Sequence, residues 1–178
     1  ELSGSVSATG GDIGNLTVQS GGLSGTVEAA AGSIGVIDIT GNLGGSVESA
    51  ATITDATVSG DVAGALRSTT GSIDSLEAGS ISGTVEAAAD IGSVTSAGNI
   101  SGSIEALGGD IGDIVATAGS LSGTVRAEQS IRSVLADATT AAALIEAVQG
   151  DIGSIVTDTG DMAGTITAGD EIGLLSAA

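Results

Sequence analysis

The feature that most constrains this chain is an internal repeat in which isoleucine returns about every 20 residues. Ile13, Ile34, Ile53, Ile73, Ile91, Ile111, Ile131, Ile152 and Ile172 each open a four-residue segment that closes on another apolar residue. A second half-unit lies between them and reads apolar, small, glycine, any residue, apolar. It occupies residues 2–6, 23–27, 43–47, 62–66, 81–85, 100–104, 121–125, 141–145 and 162–166, with Ala141 in the first apolar place of the eighth copy and Ala143 in place of its glycine. The nine copies of each half fill residues 1–178 as one domain with no linker. A fixed period of this length is the mark of a solenoid, in which each unit buries its apolar side only against its neighbours. Helical solenoids need about 33 residues or more per unit, and leucine-rich repeats need several Leu and an Asn in each. Neither fits. In TVEA at 26–29, Val27 and Ala29 alternate with Thr26 and Glu28, which is strand periodicity. The expected fold is all-β: a parallel β-solenoid (β-helix) of about nine coils, with two short strands per coil and glycine-rich corners.

The residue inventory agrees with such a coil. There are 31 Gly and no Pro, Cys, His, Trp, Tyr or Phe, so the largest apolar side chains are Leu, Ile and Met162. Each core column offers one residue's height, and two sheets facing across a thin interior leave no space for a ring. Nine coils stacked at about 4.8 Å predict a rod roughly 40 Å long.

The formal charge is −19, from 22 acids against Arg67, Arg126 and Arg132. Nucleic acid binding needs Lys or Arg to neutralise phosphates, and an anionic membrane surface makes the same demand. Neither partner is expected, nor is membrane insertion, because no apolar run reaches about 18 residues. High charge with few aromatics also describes disordered chains, but the mean hydropathy of +0.46 and the regular apolar spacing argue against disorder. Both ends of the sequence fall inside the repeat, so the chain reads as a mature product or a fragment. Open solenoid ends carry unpaired strand edges that invite stacking.

Stacked coils turn equivalent outward positions into columns. One column is predicted as Ser7, Glu28, Glu48, Arg67, Glu86, Glu105, Arg126, Glu146 and Thr167. Like charges facing each other on neighbouring strands repel, and each arginine here stands between two glutamates. This is a structural charge ladder, since a basic binding site would cluster its arginines. Beside it runs a hydroxyl-rich column that includes Thr26, Ser46, Thr84, Ser103, Thr124 and Thr165. It raises ice binding, which the adjacent charged row disfavours. On the second face one outward column becomes apolar at Val115, Leu135 and Val156, in three consecutive coils. A contiguous apolar stripe marks self-association by lateral packing.

Asp12, Asp90, Asp110 and Asp151 recur just before the Ile of the second half-unit, and Asp170 lies at a similar corner. Aspartate there caps a turn by accepting backbone N–H bonds. The rival is calcium. Nonapeptide calcium β-rolls combine glycine-rich corners with Asp, and this sequence resembles them in outline. It lacks their GGxGxD cadence, and Ser33, Thr52, Ser72 and Ser130 interrupt the column. A calcium site takes six to eight oxygens, more than one Asp per coil supplies. Diffuse binding of divalent cations along the acidic rod is expected in either case. No enzyme is expected: His, Lys and Tyr are absent, so carboxylates such as Asp55 and Asp74 on adjacent rungs have no partner for acid–base work, and a serine nucleophile has no base.

Residues 129–149 weaken the pattern. Gln129, Thr139 and Ala143 replace corner glycines, and the run 135–148 is rich in helix formers. It reads either as a degenerate coil, with Ala141 in the apolar place, or as a short helical insertion. As a whole the chain resembles the repetitive parallel β-solenoids of bacterial surface proteins, adhesins and extracellular fibres, through period and composition over its full length. That resemblance implies a structural or adhesive role outside the cell or at its surface. It fits a filament or layer subunit, a rod segment of a large adhesin, or a calcium-stabilised solenoid.

Overall fold

The computed structural model describes residues 1–140 and 142–178. The odd-numbered strands come from the first half-unit and are four residues each: β1 (Ser5–Ala8), β3 (Thr26–Ala29), β5 (Ser46–Ser49), β7 (Ala65–Ser68), β9 (Thr84–Ala87), β11 (Ser103–Ala106), β13 (Thr124–Ala127), β15 (Leu144–Ala147) and β17 (Thr165–Ala168). The even-numbered strands start at the repeating isoleucine: β2 (Ile13–Val18), β4 (Ile34–Ile39), β6 (Ile53–Val62), β8 (Ile73–Ile81), β10 (Ile91–Ser96), β12 (Ile111–Leu121), β14 (Ile131–Thr139), β16 (Ile152–Thr157) and β18 (Ile172–Ala177). Odd strands pair only with odd and even only with even, giving two nine-stranded sheets in sequence order. Every pair is parallel, as in β1–β3 and β2–β4. The fold is a parallel β-solenoid of about nine coils, and no helix occurs among the described residues.

The core is a set of vertical columns. All nine repeat isoleucines stack in one of them, from Ile13 on Ile34 to Ile152 on Ile172. The seven interior members are fully buried, and burying such a side chain contributes about 1.5–3 kcal/mol. Two further columns of the longer strand turn inward three and five places after the isoleucine, as Ile37 and Ile39 do in β4. The short strands send in a large residue and then a small one, Val27 and Ala29 in β3. The small place is Ala or Ser throughout, which keeps this corner narrow. Where it is Ser, the hydroxyl is satisfied: Ser49 Oγ donates to Gly32 O at 2.9 Å, and Ser68 Oγ donates to Ala51 O. A last column runs Leu2, Leu23, Leu43, Val62, Ile81, Ile100 and Leu121, between the two sheets.

The eighth coil is a degenerate coil, without a helical insertion among its described residues. Leu121 pairs with Thr139, so Thr139, 2% exposed, holds the core place expected of Ala141, and Ala141 itself lies outside the described residues. Four residues separate Thr139 from Leu144, against two between Leu121 and Thr124, so two extra residues are absorbed at this corner. Thr139 is therefore a core substitution and no corner glycine. Its Oγ1 donates to Ala163 O at 2.6 Å and accepts from Ala163 N at 2.8 Å, which satisfies a buried hydroxyl. Gln129 keeps the corner's coil-to-coil bond, donating its N–H to Gly109 O at 3.0 Å. Ala143 N–H closes a turn on Thr140 O at 2.9 Å.

Candidate functional site

The outward columns of the short-strand sheet have the predicted register. Glu28 faces Glu48, Glu48 faces Arg67, Arg67 faces Glu86, Glu86 faces Glu105, Glu105 faces Arg126 and Arg126 faces Glu146. Each arginine turns toward one of its two glutamates. Arg67 Nε lies 3.1 Å from Glu86 Oε1 but off the donor direction, so this buried N–H makes an ion contact without a hydrogen bond. Arg126 Nε donates to Glu146 Oε2 at 3.0 Å, and its terminal nitrogen lies 3.4 Å from Glu128 Oε2. Glu105 instead accepts from Ser103 Oγ. The column alternates stretches of adjacent acids with single cations that each neutralise one or two of them.

The third arginine belongs elsewhere. Arg132 follows the repeat isoleucine, where Gly92, Gly112 and Gly153 stand in neighbouring coils, and its guanidinium reaches Asp113 Oδ2 at 2.9 Å. A notch of about 420 Å³ opens beside it, lined by Asp90, Asp110, Ser130 and Arg132 with the backbone of Gly92 and Gly112. The notch exists because two successive coils have no side chain at that place.

The corner aspartates act between coils. Asp12 Oδ1 accepts the N–H of Ser33 at 2.7 Å, Asp90 Oδ1 that of Asp110 at 2.9 Å, Asp110 Oδ1 that of Ser130 at 2.8 Å, and Asp151 Oδ1 that of Glu171 at 2.9 Å. Two of the interrupting serines do the same: Ser72 Oγ accepts from Asp90 N and Ser130 Oγ from Asp151 N, at 3.3 and 3.2 Å. The expected cap of a local turn is thus a cap of the next coil, because corner N–H groups point along the stacking direction like those of the strands. Asp170 is not in this column. Glu171 holds its place, and Asp170 N–H donates to Gly150 O at 3.2 Å. Among the described residues, no three acidic side chains come together in a metal-ligating group.

A second corner uses the same device without having been singled out in the sequence. Asn42 Oδ1 accepts from Asp61 N at 3.0 Å and Asn99 Oδ1 from Ser120 N at 2.9 Å. Asp61 in turn takes Ser80 Oγ at 3.0 Å and Ser82 N at 3.1 Å. The available signal was their position, immediately before the apolar residue that opens the first half-unit. Asp55 and Asp74 do lie on adjacent rungs, but in neighbouring columns: Asp55 faces Ser75 and accepts its Oγ at 2.6 Å.

On the second sheet, Val115, Leu135 and Val156 face one another in consecutive rungs. They are half-buried where full exposure was expected, since each is flanked above and below by the next member of its column. The large apolar side chains that are exposed, among the described residues, are Val36, Leu107, Leu174 and Leu175, each at 42–51%. Searches against protein-family models, curated proteins and solved structures each return no match.

Proposed function

We propose that the chain is a structural building block of an extracellular filament or surface layer, assembled by stacking coil on coil. One observation carries this reading: in both sheets each coil meets the next through the same core columns, with register shifts confined to the corners after Val58 and Ala116. A contact that repeats along the chain is a contact that two chains can share. The half-buried stripe of Val115, Leu135 and Val156 supplies a lateral contact between rods. In this reading the acids serve solubility and corner capping, calcium is dispensable, divalent cations gather only diffusely, and the chain catalyses nothing.

Electron microscopy of the purified chain over a range of salt and calcium concentrations tests the proposal. Filaments or sheets are expected. Dispersed rods roughly 40 Å long under all conditions would overturn it and move the chain to the reading of a rod segment in a larger adhesin.

A further inference from the structure

The outward face of the even-numbered sheet changes character along the chain. Beside the column of Val115, Leu135 and Val156 runs a second one, with Asp113, Ser133 and Ser154 in the same three strands. From β10 to β16 these two columns carry a single charged side chain, Asp113, and the guanidinium of Arg132 balances it at 2.9 Å. Earlier in the chain the same columns are acidic, with Asp38 in β4, Asp55 in β6 and Glu77 in β8. The odd-numbered sheet offers no such neutral area, because each of its strands from β3 to β15 carries a Glu or an Arg. Strands β10 to β16 therefore present a neutral, partly apolar face on a chain whose formal charge is −19.

We infer that this face docks on the same face of a second copy, with the two rods antiparallel about a two-fold axis that runs along the strands between β12 and β14. The inference rests on the lateral contact of the proposed function, gives that contact its orientation, and makes no use of end-to-end stacking. A surface that meets itself about a two-fold is the commonest homo-oligomeric contact. Charge selects the geometry. With the axis between β12 and β14, Val115 lies on Leu135 of the second copy, Thr95 on Val156 and Glu77 on Ser176. Each Arg132 lies opposite Gly112, in the rung of the second copy's Asp113, so two Asp113–Arg132 pairs form across the axis. Parallel rods sharing the apolar column would instead set Asp38 on Asp38 and Glu77 on Glu77, since both acids belong to that column, and facing like charges repel. An axis through β14 would set Arg132 on Arg132.

The contact is small. Six strands, β8 to β18, at about 4.8 Å and six residues at about 3.3 Å cover roughly 550 Å² per copy. The total of roughly 1,100 Å² falls just below the standard size of a specific interface, in the range of weak contacts. Lateral pairing therefore needs rods at high local concentration, as in a filament or layer.

The chain has no cysteine, so introduced thiols read the contact without background. Thr95→Cys and Val156→Cys chains, mixed and treated with a short bismaleimide, are expected to give covalent dimers containing one of each, because facing sheets lie about 10 Å apart. Links of each variant to itself mean parallel rods and overturn the inference. Filaments that form with no such link overturn it and leave end-to-end stacking standing, and dispersed, unlinked rods overturn both readings. A charge swap checks the pairing. Asp113→Arg alone and Arg132→Asp alone each set like charges across the axis, and the dissociation constant from sedimentation equilibrium should rise roughly 5- to 25-fold, the effect of one facing pair at each of two symmetric places. Mixing the two variants should restore the association. Each variant also loses the Asp113–Arg132 contact within its own chain, so a role in folding alone gives no recovery on mixing, and that result overturns the inference.

Discussion

At the scale of single residues, the glycine in the third place of the first half-unit is explained by contact with the neighbouring coil. A Cβ on Gly25, Gly45, Gly64, Gly83, Gly102 or Gly123 would run into the carbonyl oxygen of the equivalent glycine in the coil before it. Positive φ occurs, among the described residues, only at Gly21, Gly22, Gly41 and Gly164, of which Gly164 alone belongs to this column, so left-handed backbone is not what selects its other glycines. Gly64→Ala should therefore cost about 1–3 kcal/mol, the range for overfilling a packed site. Gly4→Ala should cost almost nothing, because no atom lies within 4 Å of the added carbon. Paired thermal melts read the difference, and equal melting temperatures would refute the close-approach explanation. The corner aspartates make a second prediction. Asp110→Ala leaves the Ser130 N–H without its partner and should cost about 1 kcal/mol, while Asp110→Asn keeps an acceptor oxygen and should be close to neutral. If capping is the role, calcium and a chelator leave the melting temperature unchanged; a rise with calcium would restore the metal reading.

At the scale of strands and columns, the ladder is electrostatic housekeeping with a modest stake. Arg126 sits between Glu105 and Glu146 and also meets Glu128, with about a third of its side chain exposed. Arg126→Gln should destabilise by no more than about 1 kcal/mol at low ionic strength, and the loss should vanish near 1 M salt, where the Debye length is about 3 Å. A loss that persists in high salt would mean that Arg126 acts by packing its stem. These columns were legible in the sequence because each half-unit repeats its own apolar and glycine places: once Val27 aligns with Val47, Glu28 must align with Glu48. Legibility ended where the period slipped. In the eighth coil two extra residues follow Thr139, and counting from the glycine pattern put Ala141 in a core place that Thr139 takes. Near the other end, one residue separates Asp170 from the corner column that Glu171 holds. Asn42 and Asn99 were passed over because asparagine suits any turn, and only the position of the next coil's N–H shows what they bind. The partial burial of Val115, Leu135 and Val156 follows from side-chain neighbours along the column, which alternation alone does not report.

For the whole molecule, the stacking contact between coils is the unit of folding and, in the proposed filament, of assembly. A second copy laid in register would repeat contacts that the chain already makes eight times over in each sheet. Such a filament keeps one direction of strand stacking from chain to chain, and that direction is the filament axis. X-ray diffraction from aligned filaments of the purified chain reads it directly. The account predicts a reflection at about 4.8 Å along the filament axis. A 4.8 Å reflection perpendicular to that axis would contradict end-to-end stacking, because the rods would then lie across the filament.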